Sequence, residues 1–336
     1  MPLSSTILGI ESSCDDTAAA ILVNGKIQSN VTNTQDIHRK YGGVVPELAS
    51  RAHQSNIIPV ISEALAQSNT TLQHLDAIAV TQGPGLMGSL IVGVNVAKGL
   101  SMSLGIPLLG VNHLQAHVAA LYLENSVQFP LLCLLVSGGH TQLIFLKNEL
   151  DFTVIGETID DAVGEAFDKA GKILGLGYPG GPQIAKISTT GDPKRFKFPD
   201  SQTSNHDFSF SGIKTSLLYF LRKESKENSA FIEENLDSIC ASYQQSLIDM
   251  LLKRFNSAII QFKPNSIGIV GGVSANALLR NSVMELGQKF DVPVYIPKFE
   301  YCTDNAAMIA KAGELLLEKG KTMKLSDTPY SRNEYL

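Results

Sequence analysis

The chain has 336 residues, of which 44% are hydrophobic and 18% are charged, and it carries 28 glycines. This composition is typical of a globular protein, and the length predicts two domains or one large two-lobed unit. The net charge of −5 excludes a uniformly basic nucleic-acid-binding protein. Any nucleic acid must therefore contact a local basic patch or a partner subunit.

The cysteines and the N-terminal sequence indicate the compartment. Cys14, Cys133, Cys240 and Cys302 lie far apart and form no C-x-x-C pair. The opening residues MPLSSTILGIESS lack the basic region and the long apolar run of a secretory signal. We therefore expect reduced thiols in a cytoplasmic protein. Since the apolar stretches fall short of about 20 residues, we also expect no segment that spans a membrane.

In the first part of the chain, short β-type runs alternate with helical patterns. Strands are predicted over 7–11 and 18–23, around the polar turn SSCDDT, and over 76–83 and 106–111. Helices are predicted over 46–66, where Pro46 suits a first turn, and over 87–104.

After Phe129-Pro130 the pattern starts again, with strands over 131–136 and 142–146 around the turn SGGHT. Helices are predicted at about 160–175, 211–223, 233–262, 276–289 and 304–319, and strands at 267–271 and 292–296. This alternation predicts α/β layers with mixed sheets, and the restart predicts two similar lobes. The polar loop 186–210 is expected to be exposed.

Three turns rich in small residues are candidate ligand sites. SSCDDT (12–17) and SGGHT (137–141) each connect two strands, and their backbone N–H groups and hydroxyls suit a phosphate. GIVGGVSANALLR (268–280) combines a strand, a Gly-Gly turn and a helix start, which suits a nucleotide. Because any sharp turn needs glycine, the alternative of purely structural turns stays open.

The segment DDAVGEAFDKAGKILGLGYPGGP predicts an amphipathic helix followed by a turn suited to close approach of a ligand. Asp161, Glu165 and Asp168 are expected near one another on the polar side of this helix. They are either part of a site or a solvated acidic first turn that complements the helix dipole.

The run GVNHLQAHVAAL places His113 and His117 four residues apart, on one face of a predicted helix. Leu114 follows the first histidine, where the H-E-x-x-H motif has its glutamate, and this argues against a zinc peptidase. Two imidazoles and a carboxylate would form a metal-binding face with open positions, and Asp304 is the candidate third ligand. The alternatives are that the histidines belong to the core and that Asp304, with Thr303, caps a helix.

The segment KRFKF (194–198) interleaves three cations with two phenylalanines. This pattern suits an RNA contact. A solvated loop is the more common meaning of such a run.

Together these segments resemble the bacterial TsaD family, the tRNA N6-adenosine threonylcarbamoyltransferases once described as glycoproteases. The motifs that carry the resemblance are GIESSCDDT, YGGVVPELASRAH, TQGPGLMGSL, NHLQAH, LLVSGGHTQL, ETIDDAVGEAFDKAGKILGLGYPGGP, FSFSGIKT, GGVSANALLR and CTDNAAMIA. They extend over about residues 6–320 without a large gap.

The resemblance implies an α/β fold of the actin, Hsp70 and sugar-kinase (ASKHA) type, with two duplicated mixed-sheet lobes and a nucleotide cleft between them. We expect an N-terminal lobe over 1–130, a C-terminal lobe over 131–303, and a C-terminal helix and tail over 304–336 that pack back on the N-terminal lobe. The implied reaction transfers threonylcarbamoyl from threonylcarbamoyl-AMP to N6 of adenosine 37, in tRNAs that read ANN codons, to form t6A.

The resemblance also implies the site residues. His113, His117 and Asp304 would hold one divalent metal, usually taken as Fe2+, with Zn2+ or Mg2+ as alternatives. The substrate contacts implied are Leu135, Val136, Ser137, Gly138, Gly139, Asp168, Gly181 and Asn276. We expect Gly180 to join Asp168 and Gly181 at the ribose, and Gly271 and Gly272 to join Asn276 at the adenine. Asp16 is the candidate general base, with Asp15 as the next candidate.

The implied partners are tRNA, the ATPase TsaE, and TsaB, which shares the fold and would form a heterodimer through the N-terminal lobe. No DNA and no membrane are expected. The apolar, small-residue helix 87–104, with helix 46–66, is the predicted partner-binding face. The alternative is a non-catalytic, nucleotide-binding regulatory subunit of the same fold, which would have no reason to keep the set His113, His117 and Asp304.

Two positions depart from the pattern of some relatives. Ala185 stands where they carry an aspartate after the Gly-Gly-Pro turn, so that substrate contact is not carried over. Leu135 stands where archaeal and eukaryotic relatives have a tyrosine metal contact, which would leave a metal position for water or substrate. Both features agree with the bacterial branch.

Overall fold

The structure is a computed structural model that describes residues 5–201 and 203–332. These residues divide into two compact units. Unit 1 takes in the described residues up to 127, the stretch 149–152 and those from 297 onward, and unit 2 takes in 128–148 and 153–296.

Each unit contains one five-stranded mixed sheet. The strands are β1 (Thr6–Glu11), β2 (Asp16–Val23), β3 (Lys26–Thr34), β4 (Ala77–Gly83), β5 (Leu108–Asn112), β6 (Leu131–Val136), β7 (Thr141–Asn148), β8 (Asp151–Glu157), β9 (Ser266–Val270) and β10 (Val294–Tyr295). The helices are α1 (Pro46–Gln67), α2 (Met87–Leu104), α3 (His113–Ala119), α4 (Val163–Ile173), α5 (Gly180–Ile187), α6 (Ser211–Glu227), α7 (Phe231–Phe262), α8 (Ala277–Phe290) and α9 (Ala306–Glu318).

The two sheets repeat one topology. The first has the order β3-β2-β1-β4-β5 and the second the order β10-β9-β6-β7-β8. In the first, β1 pairs antiparallel with β2 and parallel with β4. In the second, β6 likewise pairs antiparallel with β7 and parallel with β9. The predicted restart after residue 130 and the duplicated mixed sheets are confirmed.

The sheet of unit 1 lies between two layers of helices. Successive residues of a strand point to opposite faces, so each strand contributes side chains to both layers. Leu8 and Ile10 of β1 pack with residues of α1 and α2, such as Ile57 and Val94. Ile7 packs on the other face with residues of α3 and α9. Both layers are apolar, so the strand is buried on both sides.

Glycines allow α9 to pack directly on this sheet. A Cβ on Gly9 of β1 would overlap the carbonyl oxygen of Ala306, and a Cβ on Gly313 of α9 would overlap the side chain of Ala79. The close approach of helix and strand therefore requires glycine at both positions. It fixes the N-terminal end of α9, and with it Asp304, beside the sheet.

Three elements were not predicted from the sequence: β3, β8 and α5. β3 and β8 each form one edge of their sheet, and β3 has the polar sequence KIQSNVTNT. β3 therefore lacks the apolar pattern on which the prediction depends. α5 begins with Gly180-Gly181-Pro182, which the sequence predicted as a turn.

The loop 186–210 is not a simple exposed excursion. Phe208 and Phe210 near its end are fully buried in the core of unit 2. The buried guanidinium of Arg254 donates hydrogen bonds to the carbonyl oxygens of Asp207 (3.0 Å) and Ser201 (2.6 Å). A short polar segment is thus tied to the core by the residues at its end, which composition alone does not reveal.

The phenylalanines of KRFKF face the protein rather than solvent. The ring of Phe196 lies 5.0 Å from that of Phe220, and the ring of Phe198 lies 5.5 Å from that of Tyr243, measured between centroids. The three cations of the segment are exposed. The segment therefore offers charge to a ligand, while its rings pack against aromatic side chains of unit 2.

The expectation that no segment reaches membrane-spanning length is corrected for α2. This helix has 18 residues and a mean hydropathy of 1.3, enough to cross a membrane by length and composition alone. A core helix passes the same test. Leu90, Val94 and Ala97 of α2 are buried in unit 1, which is the packing expected of a core helix with one exposed side.

Candidate active site

The helix that carries the two histidines is fixed at its first residue. Asn112 caps α3, and its Oδ1 accepts hydrogen bonds from the backbone nitrogens of Leu114 (2.9 Å) and Gln115 (3.1 Å). Such a cap satisfies N–H groups that the first turn leaves open. His113 and His117 lie one turn apart, are 7% and 1% exposed, and have ring centroids 4.8 Å apart. The two imidazoles therefore meet in a buried place.

Asp304 lies beside both histidines. Its Oδ1 lies 3.4 Å from Nε2 of His113 and 3.2 Å from Nε2 of His117. One ligand atom from each of the three residues lies within 4.8 Å of the others. Metal–nitrogen distances of about 2.1 Å place two donors on one ion roughly 3–4 Å apart. The spacing of the three side chains fits a shared ion with little rearrangement.

Asp304 does not cap the helix that follows it. α9 begins at Ala306, and its cap is Asn305, whose Oδ1 accepts from the backbone nitrogen of Met308 at 3.0 Å. The alternative that Asp304, with Thr303, serves as a helix cap is therefore wrong. The carboxylate of Asp304 has no capping bond to explain its position.

The donor set fits a divalent metal. Nδ1 of His117 is buried with no hydrogen-bond partner among the described residues, and buried Nε2 lies 3.2 Å from Oδ1 of Asp304. Buried polar atoms are normally hydrogen-bonded, and a cation would take Nε2 as a ligand. Two imidazoles and one carboxylate suit Fe2+ or Zn2+, while Mg2+ prefers a shell of oxygen atoms.

The charges of the set favour a proton where no ion is bound. Burial alone would lower the pKa of His113, but the carboxylates of Asp304 and Glu11 outweigh it and raise this pKa well above its ordinary value. Burial alone would raise the pKa of Asp304, but His113 and His117 outweigh it and hold this pKa well below the usual range. An incoming cation must therefore displace a proton from His113.

The turn SSCDDT connects β1 to β2 and presents the two candidate bases. Asp16 begins β2 and is half-buried, and its Oδ1 has no hydrogen-bond partner among the described residues. Burial raises the pKa of Asp16 to about 7, against an opposing hydrogen bond from Thr34. Asp15 is also half-buried, and its carbonyl oxygen accepts from the backbone nitrogen of Gln35 at 3.2 Å. Asp16 has the property that a general base needs near neutral pH.

The turn SGGHT in unit 2 connects β6 to β7. The backbone nitrogen of Ser137 donates to the carbonyl oxygen of His140 at 2.8 Å, which closes the turn. Gly138 and Gly139 are exposed, and a Cβ on either would meet nothing within 4 Å. Neither the packing of unit 2 nor a left-handed backbone requires glycine there. Bare N–H groups with open space beside them are what a phosphate or an oxyanion needs.

Leu135 and Val136 differ from these glycines. Their side chains are fully buried, and both residues pair with β7 in the sheet. The implied substrate contact at these two residues can therefore involve only the backbone.

Asp168 and the glycines after it form a helix start. The backbone nitrogen of Gly180 donates to Oδ1 of Asp168 at 2.8 Å. A Cβ on Gly180 would lie 2.7 Å from the carbonyl oxygen of Phe167, whereas one on Gly181 would make an ordinary contact of 3.6 Å with the Phe167 side chain. Gly180 is thus needed for the packing of α5 on α4, and Gly181 remains available to a ligand.

The acidic residues at the start of α4 do not act as one cluster. Lys169 Nζ lies 2.7 Å from Asp161 and 2.8 Å from Glu165. Asp168 instead accepts from α5. Asp161 and Glu165 therefore share one lysine, while Asp168 binds the turn that begins α5.

Gly271, Gly272 and Asn276 link β9 to α8. Gly271 has a φ of +88°, and a Cβ there would overlap the carbonyl oxygen of Val136. Gly272 begins a short 3-10 helix. Asn276 caps α8, with Oδ1 accepting from Leu279 N at 3.1 Å, while its Nδ2 donates to Gln244 Oε1 at 2.8 Å. Both ends of this amide are taken up within unit 2.

A cavity of about 340 Å3 lies beside Asn276. Its lining includes Ala185, Ser188 and Gln244, and the side-chain nitrogen of Gln244 donates to the Ser188 hydroxyl at 2.9 Å. The volume lies in the usual range of roughly 300–1,000 Å3 for small-ligand pockets. Ala185 gives this wall a methyl group.

Sequence reasoning missed Glu11 as a functional candidate. This residue ends the buried strand β1, is 0% exposed, and places Oε2 3.1 Å from Nδ1 of His113. A glutamate that ends the apolar run ILGI was the available signal, because a buried carboxylate needs a reason.

The comparisons with known proteins identify the family. The family profile of TsaD, tRNA N6-adenosine threonylcarbamoyltransferase, matches residues 26–311. A protein of that name from Riemerella anatipestifer is 54% identical over 334 residues, which is 98% of each chain. The chain belongs to the tRNA N6-adenosine threonylcarbamoyltransferase family. A second family member, from Christiangramia forsetii, is 52% identical over 98% of each chain.

The family membership confirms the resemblance read from the motifs, and the chain is a transferase. Among solved structures, a ROK family glucokinase from Streptomyces griseus in complex with glucose and AMPPNP has a TM-score of 0.51. It is 12% identical and covers 92% of this chain and 98% of the glucokinase. This likeness shows the fold, and the predicted ASKHA type is confirmed. Nothing in the comparisons favours a non-catalytic regulatory subunit.

Proposed function

We propose that the protein transfers the threonylcarbamoyl group from threonylcarbamoyl-AMP to N6 of adenosine 37, in tRNAs that read ANN codons, forming t6A. The observation that carries this proposal is the convergence of His113, His117 and Asp304 in a member of this family. The aromatic amine is a weak nucleophile, so acyl transfer to it requires activation of the carbonyl under attack. The three side chains form a site for a metal ion, which would act as the Lewis acid.

His113, His117 and Asp304 would hold one divalent metal, for which we favour Fe2+. When bound, that metal supplies Lewis-acid polarisation of the carbonyl under attack. The imidazoles contribute neutral nitrogens, and Asp304 neutralises one unit of charge. The caps on α3 and α9 and the close contact at Gly9 keep the three side chains in place.

The glycine turns of unit 2 would bind the nucleotide half of the substrate. The N–H groups of Gly138 and Gly139 suit the phosphate or the developing oxyanion, because these donors are already oriented before the reaction. We assign the ribose to Asp168 and Gly181, and the adenine to the cavity beside Asn276. Gly180 and Gly271 shape these places through their packing rather than through contact with the substrate.

Asp16 is the proposed general base. The exocyclic amine of adenosine becomes acidic only as it attacks, and a carboxylate with a pKa near 7 can take its proton at that moment. The new bond forms between N6 and the carbamoyl carbon. The bond between that carbon and the phosphate oxygen breaks, and AMP leaves with the electron pair. No covalent enzyme intermediate is required.

We propose TsaB as the protein partner, bound through α1 and α2, with the ATPase TsaE acting in the same cytoplasmic system. Met87, Ile91 and Met102 lie on the exposed side of α2 and give it an apolar face. Such a face is typical of a helix that packs against another subunit. The exposed cations of KRFKF are candidates for contact with tRNA phosphates.

Transfer to tRNA tests the proposal directly. The full-length protein, its partners, a divalent metal and labelled threonylcarbamoyl-AMP are incubated with two tRNA transcripts that differ only in adenosine or guanosine at position 37. We expect label on the adenosine transcript alone, and none with the His117→Ala protein. Equal labelling of both transcripts, or no labelling with all components present, contradicts the proposed function.

A further inference from the structure

We propose that Glu11 is a positioning residue for the metal centre, because it accepts the Nδ1 proton of His113 and so leaves Nε2 as the metal-binding nitrogen. This inference rests on the metal centre of the proposed function. It concerns a residue outside the ligand set, and it assigns a separate task to each nitrogen of one imidazole.

Both oxygens of the Glu11 carboxylate lie within hydrogen-bonding distance of donors. It is 0% exposed at the end of β1. Oε2 accepts from the hydroxyl of Thr81 at 2.6 Å, and Oε1 accepts from the backbone nitrogen of Ser13. Oε2 also lies 3.1 Å from Nδ1 of His113. A buried carboxylate is tolerated only when it is satisfied in this way, so its position is fixed by β4 and by the turn after β1.

The two nitrogens of His113 face different carboxylates. Nδ1 lies 3.1 Å from Glu11, while Nε2 lies 3.4 Å from Asp304. A neutral imidazole carries one proton, so a hydrogen bond donated from Nδ1 leaves the lone pair of Nε2 for a cation. Glu11 thus lies behind the ring and Asp304 on the side of the ion.

A carboxylate fixes this tautomer, whereas a hydroxyl does not. The Ser13 hydroxyl lies 3.3 Å from the same Nδ1 and can either donate or accept. An ionised Glu11 can only accept, so it requires the proton on Nδ1. Outer hydrogen bonds of this kind orient a ligating histidine and increase its affinity for metal.

Glu11→Gln would disturb this arrangement without changing its size. The backbone N–H of Ser13 can only donate, whereas the Thr81 hydroxyl and a neutral His113 ring can also accept, so we expect the glutamine carbonyl to face Ser13. The NH2 group then faces Thr81 and His113, which both lose the acceptor that Glu11 supplies. If the NH2 group faces His113, the proton moves to Nε2 and the metal-binding lone pair is lost. We expect metal affinity to fall roughly 10- to 100-fold, the usual effect of losing such a partner.

The test measures zinc affinity of the full-length protein by competition with a chromophoric chelator. Four proteins are compared: wild type, His113→Ala, Glu11→Gln and Glu314→Gln. Glu314 is the matched control, since it is a buried glutamate of unit 1 that pairs with Lys311 at 2.6 Å and touches none of the ligands. We expect wild type and Glu314→Gln to bind zinc equally, Glu11→Gln to bind it 10- to 100-fold more weakly, and His113→Ala to lose the site.

A second readout needs no variant and distinguishes positioning from a general effect on folding. Long-range 1H–15N NMR of the histidine rings in the zinc-loaded wild type reports which nitrogen is protonated. We expect a protonated Nδ1 and a zinc-bound Nε2 for His113. Zinc bound through Nδ1, or wild-type affinity in Glu11→Gln, overturns the role of Glu11.

These outcomes separate the inference from the proposed function. Equal zinc binding by wild type and His113→Ala would remove the metal centre, and both proposals with it. Tight zinc binding that weakens in Glu11→Gln, together with no transfer to tRNA by the complete system, would support the role of Glu11 and contradict the proposed reaction alone.

Discussion

Oδ1 of Asp304 lies 3.2 Å from Nε2 of His117, although the two residues come from distant parts of the chain. The contact depends on two local features of unit 1. α3 starts directly at the end of β5, and α9 packs against β1 where Gly9 has no side chain. The ligand set is therefore a product of sheet order and helix packing, and changes at single residues should separate metal binding from folding.

The neighbours Asp304 and Asn305 should have separate roles. Asp304→Asn removes the charged ligand, so we expect metal affinity to fall at least about tenfold. Asn305→Ala removes the cap of α9, so we expect the free energy of unfolding to fall by about 1 kcal/mol with the metal retained. Metal content after dialysis against a chelator and thermal unfolding measure the two effects. Equal loss of metal in both variants would show that Asp304 acts only through the helix.

Two glycines should respond in opposite ways to alanine. Gly138→Ala adds a methyl group in open space, so we expect unfolding free energy within about 0.5 kcal/mol of wild type and weaker binding of adenine nucleotide. Gly271→Ala meets the Val136 carbonyl at a φ of +88°, so we expect a loss of about 2–4 kcal/mol. Chemical denaturation and calorimetry check the pair. Unchanged nucleotide affinity in Gly138→Ala would exclude the SGGHT turn from the site.

The rate of transfer should depend on the ionisation of Asp16. Burial raises the pKa of Asp16 to about 7, and a general base works only when deprotonated. We therefore expect kcat/KM to rise with pH up to about 7 and to level off above it. Asp16→Asn should lower the rate by roughly 10²–10⁴ and remove this limb of the profile.

Two controls belong to the pH profile. Saturating metal is needed at every pH, because protons and metal compete for His113. Asp15→Asn should keep an acid limb, moved to lower pH because the Asp15 carboxylate helps to raise the pKa of Asp16. An unchanged limb in Asp16→Asn would assign the base to another group.

The exposed side of α2 should bind the protein partner. Met102 is 67% exposed and Ile91 is 42% exposed on this helix. Replacement of either by glutamate should abolish association with TsaB in size-exclusion chromatography, since a charge in an interface core is costly. Ile260→Glu is the control, because Ile260 is 58% exposed on α7 in unit 2. Association that survives Met102→Glu and Ile91→Glu would place the partner elsewhere.

Much of the fold follows from sequence patterns. The helix over 87–104 and the strand over 131–136 were predicted to the residue, because each has a strong apolar pattern and clear boundaries. The edge strand β3 was missed because its polar sequence KIQSNVTNT lacks such a pattern, and β8, DFTVIGE, was missed as well. Local periodicity thus identified the elements that are buried on both faces, such as β6.

Only part of the candidate site could be predicted from the sequence. The spacing of His113 and His117 predicted a shared face, but spacing could not show that Asp304 reaches it while Asn305 caps the helix. Likewise, the sequence alone could not distinguish Gly138, which leaves space for a ligand, from Gly271, which a backbone turn requires. These distinctions depend on contacts between residues far apart in sequence, and only the fold provides them.

Mass spectrometry of tRNA nucleosides tests the central claim most directly. The full-length protein, with partners, metal and threonylcarbamoyl-AMP, is incubated with tRNA that lacks t6A, and the RNA is then digested to nucleosides. The account predicts t6A with the wild type, and none above background with His113→Ala protein of unchanged thermal stability. t6A formed equally by His113→Ala, or no t6A from the complete wild-type system, would contradict it.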